Sequence, residues 1–111
     1  MIVTAREVGT VTILAAEGRL DTMSAPDLEG VCQRRLDDGA QQIVLDISAL
    51  EYISSAGLRV VLAVAKRLSG AGGKFGLCGA RGIVRETLDL AGIGSIVPVH
   101  DTVEDALDGE C

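Results

Sequence analysis

A chain of 111 residues is enough for one compact domain and leaves little room for a second. Hydrophobic residues make up 48%, which supports a sizeable core, but aromatics are only 2% (Tyr52 and Phe75), so the core has to be built from Ile, Leu, Val and Ala. The net charge of −6 argues against nucleic acid or an anionic membrane as a direct partner, because both are held by basic patches.

The N-terminus lacks the charged-then-apolar form of a signal peptide, and no run of about 18 apolar residues could span a bilayer. The expectation is a cytoplasmic protein with no membrane partner. Cys32, Cys78 and Cys111 are odd in number and form no C-x-x-C, so neither a disulfide framework nor a zinc site is expected. Cys32 and Cys78 lie in apolar patterns and read as small hydrophobes; Cys111 reads as an exposed terminal thiol.

In chain order, Ile2 to Val8 and Val11 to Ala16 read as two strands joined by Gly9-Thr10, a hairpin signal. Gly18-Arg19-Leu20-Asp21 leads out of the second strand. Ser24 then caps a helix, with Pro26 tolerated in the first turn and Asp27 complementing the helix dipole. Leu28, Val31, Cys32 and Leu36 recur at helical spacing and face the core, and Gly39 ends the helix. Gln42 to Ile47, with the apolar run Ile43-Val44-Leu45, suits a strand covered on both faces. A short polar loop follows.

The next helix carries a stripe of Leu58, Val61, Leu62, Ala65 and Leu68, with Arg59, Lys66 and Arg67 off it in solvent. It stops at Ser69-Gly70-Ala71-Gly72-Gly73. Lys74 to Cys78 is a short strand. Ile83, Val84, Thr87, Leu88 and Ala91 form a third helical pattern closed by Gly92. Ile96 to Val99 reads as an edge strand, since Pro98 has no N–H for a central ladder. Asp101 or Thr102 caps a last helix with Val103, Ala106 and Leu107. The order β-β-α-β-α-β-α-β-α implies an α/β fold, a mixed sheet with an N-terminal hairpin and right-handed crossovers, as a single domain over 1–111.

Catalytic and cofactor readings find little footing. A phosphate loop needs Gly six residues before its Lys and Ser or Thr after it, and around Lys74 those positions hold Leu68 and Phe75. The G-x-G-x-x-G pattern that starts at Gly70 would place its last Gly on Phe75. His100 is the sole histidine and reads as a surface residue. The acidic end (Asp101, Glu104, Asp105, Asp108 and Glu110) reads as a solvated face. Neither an enzyme, a cofactor nor a metal site is expected.

Ser54 and Ser55 stand between a strand and a helix. On spacing alone, both can be plain helix-entry residues, Ser54 as cap and Ser55 in the first turn. A phosphate on Ser55 would instead add roughly −1.5 to −2 charges where free N–H groups and the helix dipole tolerate them. The fold would survive while a partner contact there would not.

The stretch Asp46-Ile47-Ser48-Ala49-Leu50-Glu51-Tyr52-Ile53-Ser54-Ser55-Ala56-Gly57-Leu58 resembles the signature of STAS domains, specifically bacterial anti-sigma factor antagonists, whose pattern runs D-x-S-x-L-x-[FY]-[IM]-[DS]-S-[STA]-G-L. Gly18-Arg19-Leu20-Asp21 is similar to the family's G-x-L-D element, and Leu88-Asp89-Leu90-Ala91-Gly92-Ile93 to a later L-x-x-x-G-[LI] segment. With the element order, the resemblance covers nearly the whole chain. It implies a STAS-type mixed sheet and a partner-switching role. The unphosphorylated antagonist binds an anti-sigma factor, a serine kinase of the GHKL type, and so releases the sigma factor; phosphorylation ends binding and a PP2C-type phosphatase restores it.

By position the resemblance implies Ser55 as phosphoacceptor and Asp21, Ser54, Ser55, Ala56, Gly57 and Leu58 as the partner-binding set, with Asp21 oriented toward the serine loop. A monomer or weak homodimer is implied. Two departures stand out: Ser54 replaces a common Asp, and Ala56 a common Ser or Thr. The alternative role is a STAS subunit of another assembly, transporter-associated or in a non-sigma partner-switching pathway, without a regulated serine; a third is a small-ligand carrier or enzyme using the same pocket.

Overall fold

A computed structural model of the chain describes residues 1–108; Glu110 and Cys111 of the expectations above lie outside them. Strands β1 (Ile2–Val8) and β2 (Val11–Leu20) form the hairpin. Then come α1 (Ala25–Asp37), β3 (Gln42–Ile53), α2 (Ser55–Gly70), β4 (Lys74–Cys78), α3 (Gly82–Leu90), a 3-10 turn (Ile93–Ser95), β5 (Val99–His100) and α4 (Val103–Asp108). The sheet order is β1-β2-β3-β4-β5, with β1 antiparallel to β2 and every later pair parallel.

A monotonic order of parallel strands joined by right-handed crossovers puts successive helices on the same face. The buried side chains divide accordingly. Leu14, Ile43, Leu45 and Leu77 pack with Leu28 and Cys32 of α1, Val61, Val64 and Leu68 of α2, and Val84 and Leu88 of α3. Their strand neighbours Ile13, Val44 and Cys78 point the other way and pack with Ala106 of α4, as the period of two requires. Burial pushes the thiols of Cys32 and Cys78 up to about 12 each, so both act as small apolar groups.

Both central strands outrun their sequence-based ends. Strand β2 continues through Gly18 to Leu20, and β3 does not stop at Ile47 in a polar loop but runs to Ile53. The reason lies in two register shifts. While β2 advances from Ala15 to Glu17, β3 advances from Asp46 to Ala49; while β2 goes from Gly18 to Arg19, β3 goes from Leu50 to Tyr52. Each is an extra residue in β3, a bulge that increases twist and locally breaks alternation. At the first, Asp46 Oδ1 accepts the Ser48 N–H at 3.0 Å, which occupies the donor that the bulge displaces. Pairing of β3 with β4 ends at Asp46–Cys78, so beyond it β2 and β3 continue as a two-stranded ribbon.

Four helix or edge assignments also shift. Ser24 occupies the N-cap position of α1 but makes no side-chain cap bond, and Val31 and Leu36 are only partly buried. On α2 the buried residues are Gly57, Val60, Val61, Val64 and Leu68, while Leu58, Leu62 and Ala65 are half-exposed, a face rotated from the Leu-centred stripe. Helix α3 buries Val84 and Leu88 and leaves Ile83 and Ala91 in solvent. The expected edge strand at Ile96–Val99 shrinks to Val99–His100, because the 3-10 turn occupies the approach; Ile96 is 63% exposed and Val97 buried. Thr102, not Asp101, caps α4: its Oγ1 accepts the Asp105 N–H at 3.0 Å.

His100 is not a plain surface residue. It is half-buried in β5 opposite Cys78, and its Nε2 is enclosed without a hydrogen-bond partner among the described residues. Among those residues no cluster of three or more His, Cys, Asp or Glu could hold a metal ion, and no helix is long and apolar enough to cross a membrane.

Candidate functional site

The ribbon delivers the ends of β2 and β3 side by side. Leu20 is in register with Ile53, and the next residue, Ser54, donates its N–H to Leu20 O at 2.8 Å. That bond pins the entry of α2 to the end of β2. Ser54 is extended (φ −96°, ψ 174°), as an N-cap residue should be, and its Oγ accepts the Gly57 N–H at 3.3 Å. Its carbonyl accepts from Leu58 N–H at 2.9 Å, which starts the helical ladder.

Ser55 is the first residue of α2. It is exposed, and among the described residues its hydroxyl makes no hydrogen bond. One hydroxyl of the pair is therefore engaged in the fold and the other faces solvent.

Gly57 explains both the tight corner and the rotated face of α2. A Cβ built there would lie 2.7 Å from Leu20 Cγ and 3.0 Å from Ile53 Cγ1. Only a hydrogen fits at that distance, so the helix start comes close enough to the ribbon to bury Gly57, and the faces that follow are set from this contact. Ala56 is half-buried and lines a cleft between α1 and α2 with Ala25, Pro26, Arg59 and Val60. Leu58 packs its inner side against the core.

Asp21 follows Leu20 directly. Its Oδ1 accepts the N–H groups of Met23 and Ser24 at 3.0 and 3.1 Å and lies 3.2 Å from Ser24 Oγ. The Ser24 hydroxyl is buried, donates to Arg19 O at 2.6 Å and accepts the Asp21 N–H at 3.0 Å. These donors, the Ser24 N–H foremost, hold the Asp21 carboxyl below its usual range, helped by the nearby Arg19 charge and opposed by desolvation. The carboxylate thus organises its own turn and the start of α1; it makes no bond to Ser54 or Ser55, contrary to the orientation expected of it.

Sequence reasoning places Asp21, Ser54, Ser55, Ala56, Gly57 and Leu58 together, and the fold brings the last five and the end of β2 into one corner. It missed three contributors. Leu20 is the wall that Gly57 touches. Arg19 stacks its guanidinium over the Tyr52 ring, 4.4 Å from the centroid, across the ribbon. Ser24 locks the Asp21 turn. A strand running past Ala16 would have signalled the first two: Leu14, Ala16 and Leu20 keep one face of β2, with Gly18 as the gap in the apolar pattern.

The corner lies within a segment that relatives share. The sequence profile of the STAS domain matches residues 3–106. The chain belongs to the STAS domain family. BtrV of Bordetella bronchiseptica is 39% identical over 106 residues, covering 96% of this chain and 91% of that protein. RsfB of Mycobacterium tuberculosis, an anti-sigma-F factor antagonist, is 29% identical over 107 residues, covering 96% and 87%. The crystal structure of an anti-sigma factor antagonist from Mycobacterium paratuberculosis superimposes with a TM-score of 0.89 at 29% identity, over 97% of this chain and 92% of that one. The mixed five-stranded sheet with its helices is the STAS fold, so the serine corner sits on a STAS scaffold.

Proposed function

We propose that this single STAS domain is an anti-sigma factor antagonist switched by phosphorylation of Ser55. In its unmodified form it binds an anti-sigma factor that is also a serine kinase of the GHKL type, and so releases the sigma factor. The kinase transfers the γ-phosphoryl group of ATP to Ser55 Oγ: the new O–P bond forms as the bond to ADP breaks, and the hydroxyl proton passes to a base of the kinase. A PP2C-type phosphatase hydrolyses the ester and restores binding. The domain itself performs no catalysis and works in the cytoplasm as a monomer or weak homodimer.

The observation that carries this reading is the division of labour between adjacent hydroxyls. Ser54 Oγ caps α2, and Ser55 is exposed with its hydroxyl unengaged. A phosphate on Ser55 disturbs no described bond and gains the free N–H groups and dipole of a helix start; a phosphate on Ser54 would displace the cap. The surface around Ser55 changes charge and bulk while the fold persists. Asp21, Ala56, Gly57 and Leu58 complete the docking corner, Asp21 by shaping the neighbouring turn and Gly57 by permitting the approach.

Incubation with the cognate kinase and ATP, read by phosphopeptide mass spectrometry, should place the phosphate on Ser55. Ser55→Ala should abolish it and keep kinase binding, whereas Ser55→Asp should weaken binding without unfolding the domain. Phosphate on Ser54 alone, or none with an active kinase, sinks the assignment.

A further inference from the structure

Helix α2 carries Arg59, Lys66 and Arg67 and no acidic residue, in a chain whose net charge is −6. The three cations are not equivalent. Arg67 Nη2 is already paired with Asp37 Oδ1 at 2.6 Å. Lys66 lies far down the helix from its start. Arg59 is exposed, and among the described residues it makes no ion pair, although Glu29 of α1 lines the same cleft.

Arg59 is also four residues after Ser55, one helical turn. Side chains at that spacing emerge on one flank with Cβ atoms about 5–6 Å apart. Long side chains on a helix lean toward its N-terminus, so from the cleft it lines beside Ala56 the Arg59 side chain has the Ser55 flank within its reach. The guanidinium fork matches phosphate oxygens.

We propose that Arg59 takes up the phosphate of modified Ser55, an intrahelical ion pair that makes it the residue through which the modification is read. The inference rests on Ser55 being the phosphoacceptor. Its consequence is that phosphorylation both adds an anion and withdraws a cation from the outer face of α2, so the surface reverses its sign while the backbone stays in place. Neither Ser54, whose hydroxyl faces the Gly57 N–H, nor Asp21, whose carboxylate is held by its own turn, offers the phosphate a cation.

The test uses the full chain with phosphoserine installed at position 55 by genetic code expansion, so that no kinase is needed. The second ionisation of the phosphate is followed by phosphorus NMR in a pH titration. Against Arg59→Gln, the parent should titrate lower by about 0.3 pH unit or more, the equivalent of an i,i+4 pair of about 0.4 kcal/mol at 1.36 kcal/mol per unit. Arg59→Lys should retain part of the shift, Lys66→Gln should leave it unchanged, and 1 M salt (~3 Å screening length) should erase it. Identical titrations for the parent and Arg59→Gln, or an equal effect from Lys66→Gln, overturn the pairing. Either failure leaves the kinase experiment on Ser55 standing, and a negative kinase experiment leaves this titration interpretable as a statement about position 55.

Discussion

Two helices start at the same edge of the sheet, α1 after β2 and α2 after β3, and their entries are built differently. At α1 the Asp21 carboxylate takes two backbone N–H groups, and a buried Ser24 hydroxyl ties Arg19 O to the Asp21 N–H. That entry is a closed polar clasp. At α2 the side chains supply one 3.3 Å cap bond, from Ser54, beside the 2.8 Å backbone bond from Ser54 N–H to Leu20 O, and the corner is completed by shape: Gly57 against Leu20 and Ile53. Holding α2 by packing leaves a hydroxyl, that of Ser55, outside the network. Each entry keeps one exposed hydroxyl outside its bonds, Thr22 in the clasp and Ser55 at the packed corner, but only that of Ser55 stands in the first turn of its helix.

Breaking the packed entry should have the largest effect. Gly57→Val drives a branched side chain into Leu20 and Ile53, and overpacking of this kind should lower stability by about 3 kcal/mol in urea unfolding. An unchanged midpoint would mean that the ribbon yields freely and that shape does not hold α2. Opening the clasp comes next. Ser24→Ala leaves Arg19 O and the Asp21 N–H without their partner, at about 1–2 kcal/mol.

The paired serines give a smaller and more pointed contrast. Ser54→Ala should cost roughly 0.5–1 kcal/mol as a lost cap of long geometry, whereas Ser55→Ala should stay within about 0.5 kcal/mol as a surface change. Equal costs would erase the distinction between the two hydroxyls.

The smallest effect is a pH dependence confined to the clasp. The Asp21 carboxyl titrates lower in the fold than its ordinary 3.8. Its contribution is therefore present above that value and is lost as pH falls through the lowered one. Asp21→Asn should remove this part of the acid limb below about pH 4 in unfolding profiles, and an identical acid limb would show that the clasp does not depend on charge.

Local pattern carried much of the molecule. The hairpin turn at Gly9-Thr10, the strand at Lys74–Cys78, the glycine-rich end of α2 and the cap at Ser54 all depend on residues within a few positions of one another, and all stand in the fold. Where the reading slipped, a distant neighbour decided. The polar residues after Ile47 suggested a loop there, because the bulges at Asp46–Ala49 and Leu50–Tyr52 break the strand period of β3. Large side chains suggested the inward face of α2, but a glycine set it by touching another strand.

The serine corner divides along the same line. The residue types of the 46–58 stretch and the exposure expected of a first-turn serine follow from the sequence, because helix start signals are local. That Leu20 supplies the wall for Gly57, and that Asp37 of α1 takes up Arg67 while Arg59 makes no ion pair among the described residues, were decided only by tertiary structure. Both depend on which segments meet across long stretches of chain, and at the corner the physical reason is steric: two strands must carry the ends of β2 and β3 together before a missing Cβ has anything to fit against.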